Sequence, residues 1–249
     1  MTSGQASSSS IDWHCHILPG LDDGPETLAE SLEMARILAA AGFRQVHCTP
    51  HFILGSFHNR PAQVQQATLQ LQKELQRAGI PLLLSPGIEY YLDEYFPVLL
   101  EQPQTLGHSR MLLVEIPSQA AAELVRDNIQ RILHKGYVPL VAHPERSALL
   151  SSTVSAPIRW LRRLMPCQKQ PVSSEPFCVT ALAREFQQLD CLFQGNLLSF
   201  SGYYGRKVQQ RAAGWFDKGL YHHFGSDGHS AAALEAGLLP GLQVVNASG

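Results

Sequence analysis

The residues best suited to chemistry in this sequence are histidines and carboxylates that recur at the ends of apolar runs. The first group is Ile11-Asp-Trp-His-Cys-His16. His14 and His16 are two apart, so on a strand both imidazoles face one way and can share a metal ion. Asp22 and Asp23 follow in Leu-Asp-Asp-Gly-Pro, just ahead of a helical pattern. One of them is expected to cap that helix, leaving the other, taken as Asp23, to ligate. The pattern then repeats. His51 ends Cys-Thr-Pro-His, Glu89 lies in Pro-Gly-Ile-Glu-Tyr-Tyr, and Glu115 closes Met-Leu-Leu-Val-Glu. His143 closes Pro-Leu-Val-Ala-His, and Asp227 and His229 lie in Phe-Gly-Ser-Asp-Gly-His. Alone, each has a plainer use, as a solvated strand-end carboxylate or a hydrogen-bonded core histidine. Together they are nine donors of types that suit Zn, Mn or Fe. That is too many for one ion and enough for two or three, with a carboxylate such as Glu89 bridging. Three divalent ions against four carboxylates leave roughly +2 before hydroxide binds, so the site attracts an anion. Clustered ions activate water near neutral pH and clamp phosphoryl oxygens during in-line attack. Arg146, three residues past His143, offers a planar fork for a further phosphate oxygen. Its competing use is a salt bridge to Glu145.

Convergence requires that these residues share one end of a sheet. Seven β-branched-rich runs end near Cys15, Cys48, Pro86, Glu115, Ala142, Gln194 and Gly225, and segments of helical period separate them. Pro25 suits a first helical turn, with Leu28, Leu32, Ala35 and Ala39 on one face until Gly42. Pro61 opens a second helix with Val64, Leu71 and Leu75 inward, stopped by Gly79. Val125, Ile129, Ile132 and Leu133 mark a third before Gly136, and a further helix is expected from about Arg206 to Lys218. Strand–helix alternation implies a mainly parallel sheet whose strand C-termini share one face. Seven repeats suit an α/β fold closed as a distorted TIM-like (β/α)7 barrel better than an open doubly wound sheet.

Residues 1–10 are polar and Ser-rich and read as a disordered leader; 11–249 reads as one domain. Ser151 to Glu185 is longer than one crossover needs. Its Met165–Pro176 part reads as an inserted surface loop, beside a helix holding Trp160, Leu161 and Leu164 whose Arg159, Arg162 and Arg163 form a solvated face. A net charge of −2 gives no reason to expect nucleic acid as a partner. No apolar run approaches the roughly 20 residues that span a bilayer. Five irregularly spaced cysteines argue against a disulfide framework and for a reducing cytoplasm. One Cys-x5-Arg match, Cys178 to Arg184, lacks the glycines a phosphate-cradling loop needs and reads as helix. Cys15, between His14 and His16, should point to the opposite side and pack.

These residues resemble the polymerase and histidinol phosphatase (PHP) superfamily. Within it the sequence is most similar to the bacterial manganese-dependent protein-tyrosine phosphatases of capsule and exopolysaccharide loci. The resemblance rests on His-Cys-His with Asp-Asp-Gly-Pro, Thr-Pro-His, Gly-Ile-Glu, Glu115, Ala-His-Pro-Glu-Arg and Gly-Ser-Asp-Gly-His, in that order from residue 11 to about 230. It implies a PHP-type (β/α)7 barrel with two to three divalent ions, Mn first and Fe or Zn second. One ion would sit on His14, His16, Glu89 and Asp227, a second on Glu89, Glu115 and His143, and a third on Asp23, His51 and His229. It also implies phosphotyrosine on a bacterial tyrosine autokinase as substrate, with Arg146 in catalysis and no cysteine nucleophile. Two departures stand out. The resemblance implies an arginine shortly after the last Asp-x-His, where Ser230-Ala-Ala-Ala-Leu-Glu stands, and a closing helix beyond the point where this sequence ends. Two other readings share the metal residues: a PHP phosphoesterase acting on a small molecule such as histidinol phosphate, and a barrel that binds a regulatory partner without turnover.

Overall fold

The computed structural model describes residues 10–153 and 177–247. The expected leader at 1–9 and the loop and basic helix within 154–176 lie outside the described residues. The elements in chain order are β1 (Ile11–Cys15), α1 (Leu28–Ala40), β2 (Gln45–Cys48), β3 (His51–Ile53), β4 (Phe57–His58), α2 (Pro61–Arg77), β5 (Leu83–Pro86), β6 (Glu89–Tyr91), α3 (Phe96–Leu99), β7 (Met111–Glu115), α4 (Ala122–His134), β8 (Val138–Ala142), β9 (Ser151–Thr153), β10 (Phe177–Val179), α5 (Ala181–Gln188), β11 (Leu192–Asn196), α6 (Leu197–Ser201), α7 (Arg206–Asp217), β12 (His223–Gly225) and α8 (Ala231–Asn246).

The result is an α/β fold with mostly parallel sheets. One sheet has the order β1-β2-β5 and a second β12-β11-β8-β7-β6-β3-β4, in which only β4 runs antiparallel. The seven expected strand ends all appear. Two of the runs are broken in the middle, at Thr49-Pro50 and Gly87-Ile88, so that β2 and β5 pair in the first sheet while β3 and β6 pair in the second. Backbone bonds cross these breaks: Gly87 N–H donates to Cys48 O at 2.9 Å and Glu89 N–H to Pro50 O at 3.1 Å. The far edges also meet. Asp227 N–H donates to His14 O at 2.7 Å and His16 N–H to Gly228 O at 3.0 Å, tying β1 to the end of β12. β9 and β10 pair with each other on either side of 154–176.

Helix α2 buries Val64, Leu71 and Leu75 as its period predicts, with Thr68 among them. Helix α4 buries Val125, Ile129 and Ile132. Helix α1 departs from expectation. It starts at Leu28, capped by the Thr27 hydroxyl on Glu30 N–H, so Pro25 precedes the helix and neither aspartate caps it. Its buried face is Ser31, Met34, Ala35 and Leu38, while Leu28 is 41% exposed. Helix α8 has no counterpart among the helices read from the sequence and follows directly on the last Asp-x-His, over Ala231–Asn246. Ser230 caps it, and glycines let it lie against α6: a Cβ on Gly241 would stand 2.1 Å from Leu197 O. A small cluster of Leu106, Leu113, Leu140 and Ala142, flanked by Trp13, lies one step back along the strands that carry Glu115 and His143.

Candidate metal centre

All nine donors read from the sequence meet in one cluster with Glu89 at the centre; His51 and Glu89 open β3 and β6, Glu115 closes β7, and Asp23 comes from the loop before α1. Glu89 is fully buried, and its Oε2 lies 3.1 Å from His14 Nε2, 3.2 Å from His16 Nε2 and 3.2 Å from His51 Nδ1. Its Oε1 lies 3.2 Å from His143 Nε2. One carboxylate thus touches four imidazoles, the position a bridging ligand occupies.

The innermost group is His14, His16, Glu89 and Asp227. The two Nε2 atoms are 3.0 Å apart, and Asp227 Oδ1 lies 3.3 Å from His14 and 3.4 Å from His16. Edges of this length belong to a coordination tetrahedron with a radius of about 2 Å, which is a metal–nitrogen distance. The donor set therefore fits a divalent ion. A second group joins Asp23, His51 and His229 beside His16: Asp23 Oδ1 lies 3.7 Å from His51 Nε2 and 3.4 Å from His229 Nε2. A third joins His51, Glu89 and Glu115. His143 Nε2 stands 3.9 Å from Glu115 Oε1, so both His51 and His143 flank this carboxylate pair.

The electrostatics match. Burial pushes the His14 imidazole down, yet Glu89 and Asp227 outweigh it and lift it to about 9. Burial and then the Glu89 charge push Glu115 up to about 8. Asp227, despite burial, is held well below the ordinary carboxylate range by His14 and His16. Carboxylates and imidazoles so arranged hold cations, whether protons or metal ions. Backbone strain accompanies them. His143 (φ 31°) and Asp227 (φ 51°) occupy the left-handed region, uncommon for residues other than glycine and concentrated at functional sites.

Other residues hold these ligands in place, and the sequence reading missed them. Asp22 Oδ2 lies 2.6 Å from His16 Nδ1 and accepts His51 N–H at 2.9 Å. Gln194 Oε1 lies 2.9 Å from His14 Nδ1. Asn196 Nδ2 donates to Asp227 Oδ2 at 2.7 Å. Buried Asp12 accepts His14 N–H and Ser226 N–H at 3.1 and 2.8 Å. Carboxylate or amide oxygen on the far nitrogen of a ligating histidine fixes ring orientation and tautomer. The Gln194/Asn196 alternation repeats the His14/His16 alternation and was the available signal.

Arg146 lines the mouth, a cavity of about 300 Å³ shared with Tyr203, Tyr204, Ser230 and Ala233. It pairs with Asp227 Oδ2 at 2.6 Å rather than with Glu145, and its guanidinium lies 4.6 Å from the Tyr204 ring centroid. Glu145 is buried and accepts from Tyr221 OH and Asn196 N–H. Where the resemblance implied a second arginine, the first turn of α8 stands instead. Among the described residues Arg146 is the only Arg or Lys lining the mouth. Cys178 belongs to β10, and Thr180 takes the Ala183 N–H while capping α5, so no phosphate-cradling loop forms there. Cys15 is buried and packs, its thiol 3.6 Å from Gly228 O.

The family model for capsular polysaccharide synthesis, CpsB/CapC, matches residues 10–164. The chain belongs to the CpsB/CapC family. Among curated proteins this CpsB/CapC member is 38% identical over 139 residues to the tyrosine-protein phosphatase YwqE of Bacillus subtilis (strain 168), a match spanning 55% of each protein. It is 22% identical over 222 residues to the putative tyrosine-protein phosphatase CapC of Staphylococcus aureus, covering 88% of this chain and 77% of that one. A chain from the crystal structures of YwqE and of CpsB from Streptococcus pneumoniae, described as unique metal-dependent tyrosine phosphatases, superposes with a TM-score of 0.75 at 28% identity. That match covers 96% of this chain and 86% of the other. The described residues contain no helix long and apolar enough to cross a membrane.

Proposed function

We propose that this chain is a metal-dependent phosphomonoester hydrolase that acts on phosphotyrosine in proteins. The observation that carries the reading is the convergence of nine His, Asp and Glu donors around Glu89 with Arg146 in the same mouth. The ligands are His14, His16, Glu89 and Asp227 for one ion, Glu89, Glu115 and His143 for a second, and Asp23, His51 and His229 for a third, with manganese as the working metal. Similarity to metal-dependent tyrosine phosphatases supports both the metal and the substrate. The backbone bonds between β1 and the end of β12 support a closed, distorted (β/α)7 barrel, which would explain why ligands from six of the seven parallel strand runs, and the supporting Gln194 and Asn196 from β11, reach one mouth.

Divalent ions held there supply Lewis acidity, lowering the pKa of water and offsetting charge on phosphoryl oxygens. The chain's own residues do the rest. Asp22 and Gln194 fix His16 and His14, so the inner donors are aimed before anything binds. Arg146 has five N–H donors, and its contact with Asp227 aims the fork while leaving donors for a phosphoryl oxygen. Tyr204 backs the guanidinium and keeps it from swinging into solvent. A phenol with a pKa near 10 leaves with less proton assistance than an alkyl alcohol. Free Cys15, Cys48, Cys178 and Cys191 fit a reducing cytoplasm, and the partner we infer is a bacterial tyrosine autokinase, a reading that the family's link to capsular polysaccharide synthesis accommodates.

The test is turnover of phosphotyrosine peptides after chelation, with and without added Mn(II), alongside histidinol phosphate. Metal-restored activity that favours the peptide is expected. A fully metal-loaded protein inert toward every phosphomonoester would show a binding protein instead. Loss of activity in Cys178→Ser with indifference to chelators would move the chemistry to the cysteine.

A further inference from the structure

We propose that Tyr203 is the residue that selects an aromatic ring on the substrate, an inference that rests on the phosphotyrosine reading above. Tyr203 is 51% exposed and lines the same cavity as Arg146. Its ring stands perpendicular to that of Tyr204 at 5.2 Å. Tyr204 in turn carries the Arg146 guanidinium against its ring at 4.6 Å and holds its hydroxyl 3.4 Å from Asp227 Oδ2. A single half-buried tyrosine thus joins the phosphate-gripping group to an exposed ring at the rim.

The ring does not sit on a loose loop. Gly202 (φ 84°) ends α6, Gly205 (φ 90°) precedes α7, and both use a conformation open to glycine. Tyr203 N–H donates to Leu198 O at 3.2 Å, and Gly205 N–H donates to Gly202 O at 2.8 Å. A half-exposed ring adds little to folding, and its apolar face gains only when something covers it. An aryl phosphate carries its ring one ester oxygen from phosphorus. With the phosphoryl group on Arg146, that ring lies in or beside the cavity that Tyr203 also lines, where it can meet an edge or a face, the arrangements aromatic pairs prefer. An alkyl phosphate presents no ring, so the contact discriminates between tyrosine and serine or threonine esters. On the other side of Arg146 the mouth extends for about 340 Å³ past Tyr91 and Ser118. Tyr91 lines that side, away from Tyr203 and Tyr204, which makes it the natural comparison.

The experiment compares wild type, Tyr203→Ala, Tyr203→Trp and Tyr91→Ala as Mn-loaded full chains. The probes are a phosphotyrosine peptide, p-nitrophenyl phosphate, a phosphoserine peptide and a non-hydrolysable phosphonomethyl-phenylalanine peptide. Tyr203→Ala is expected to raise KM for both aryl esters, and Kd for the phosphonate, by about 2- to 10-fold with kcat nearly unchanged. The phosphoserine peptide should be unaffected, and Tyr203→Trp should restore aryl binding. Equal losses on aryl and alkyl probes, no loss at all, or an aryl-specific loss only in Tyr91→Ala would each overturn the proposal. If wild type hydrolyses nothing, the functional reading fails, while phosphonate binding by the variants still reports on Tyr203.

Discussion

Asp22 carries more of the metal centre than its sequence context suggests. An aspartate before a helix reads as a cap, and capping and histidine orientation call for the same short carboxylate. Only the fold decides between them, by placing His16 Nδ1 2.6 Å away while Thr27 takes the cap. His14, His16 and the other donors were legible because they recur together at the ends of successive apolar runs, although each alone has a plainer use; Gln194 was not, since an amide in a strand reads as ordinary polar sequence. Asp22→Asn should weaken metal binding by about 10- to 100-fold, since the amide holds the imidazole less well. Competition with a chromophoric chelator measures this, and unchanged affinity would make Asp22 structural only. A second residue-scale prediction concerns His47, whose ring stacks 4.8 Å from Trp13, with His223 3.9 Å away on the same indole. Burial, and then the neighbouring His223, push His47 down to about 4, and its buried Nδ1 has no partner. The folded value lies below the unfolded one, so the unfolded chain takes up the proton first as pH falls. Stability is therefore lost between about pH 6.5 and pH 4, with roughly 2 kcal/mol of it gone at pH 5. His47→Phe keeps the stack and removes the proton, so urea denaturation should show a smaller loss from pH 7 to pH 5 than in wild type. Parallel losses in the two proteins would remove His47 from the account.

At the scale of elements, the seven main strands were legible because each is a short β-branched run bounded by turn residues. The breaks at Thr49-Pro50 and Gly87-Ile88 were harder to see. Gly87 sits in close quarters there, since a Cβ would stand 2.6 Å from a Leu106 methyl and 3.1 Å from the Thr49 methyl, and one of them would have to move. These breaks let the upper halves, β3 and β6, deliver His51 and Glu89 to the mouth. The α1 face was misjudged because alanine and leucine occur all round that helix, and tertiary packing settled on Met34 and Leu38. The α8 helix was obscured by Gly237, Pro240 and Gly241, residues that disfavour helices in isolation. Gly237 and Gly241 serve packing instead, bringing the helix backbone against α6. Gly241→Ala must therefore push α8 off Leu197, at a cost of about 1–3 kcal/mol. Since Ser230 and Ala233 line the mouth, the same variant should disturb substrate KM more than metal stoichiometry. A melting temperature within a degree of wild type would show that α8 is not held to α6 by this contact.

Over the whole molecule, the ligands come from the ends of strands spread along the chain, from His14 on β1 to Asp227 after β12. Burial, and then the charge of Glu89, lift Glu115, so a cation among these carboxylates removes an electrostatic cost. A metal ion bound among them ties together segments that are more than 200 residues apart in sequence yet joined by backbone bonds at the β1–β12 seam. Metal loading should therefore stabilise the fold as a unit rather than order one loop. A ligand at 1,000 times its Kd adds about 4 kcal/mol. For a chain of this size, that moves the melting temperature up by roughly 8–16 °C in a single shifted transition. Differential scanning calorimetry of chelated and Mn-loaded protein measures it, with Glu89→Gln as the variant that removes the shared ligand and should lose most of the shift. Arg146→Ala should keep most of the shift, because it removes a partner of Asp227 but none of the metal donors themselves. If Mn bound tightly yet left the melting temperature where it was, the unfolded chain would bind the ions as well as the folded one does, and the ring of strand ends would have to be explained without them.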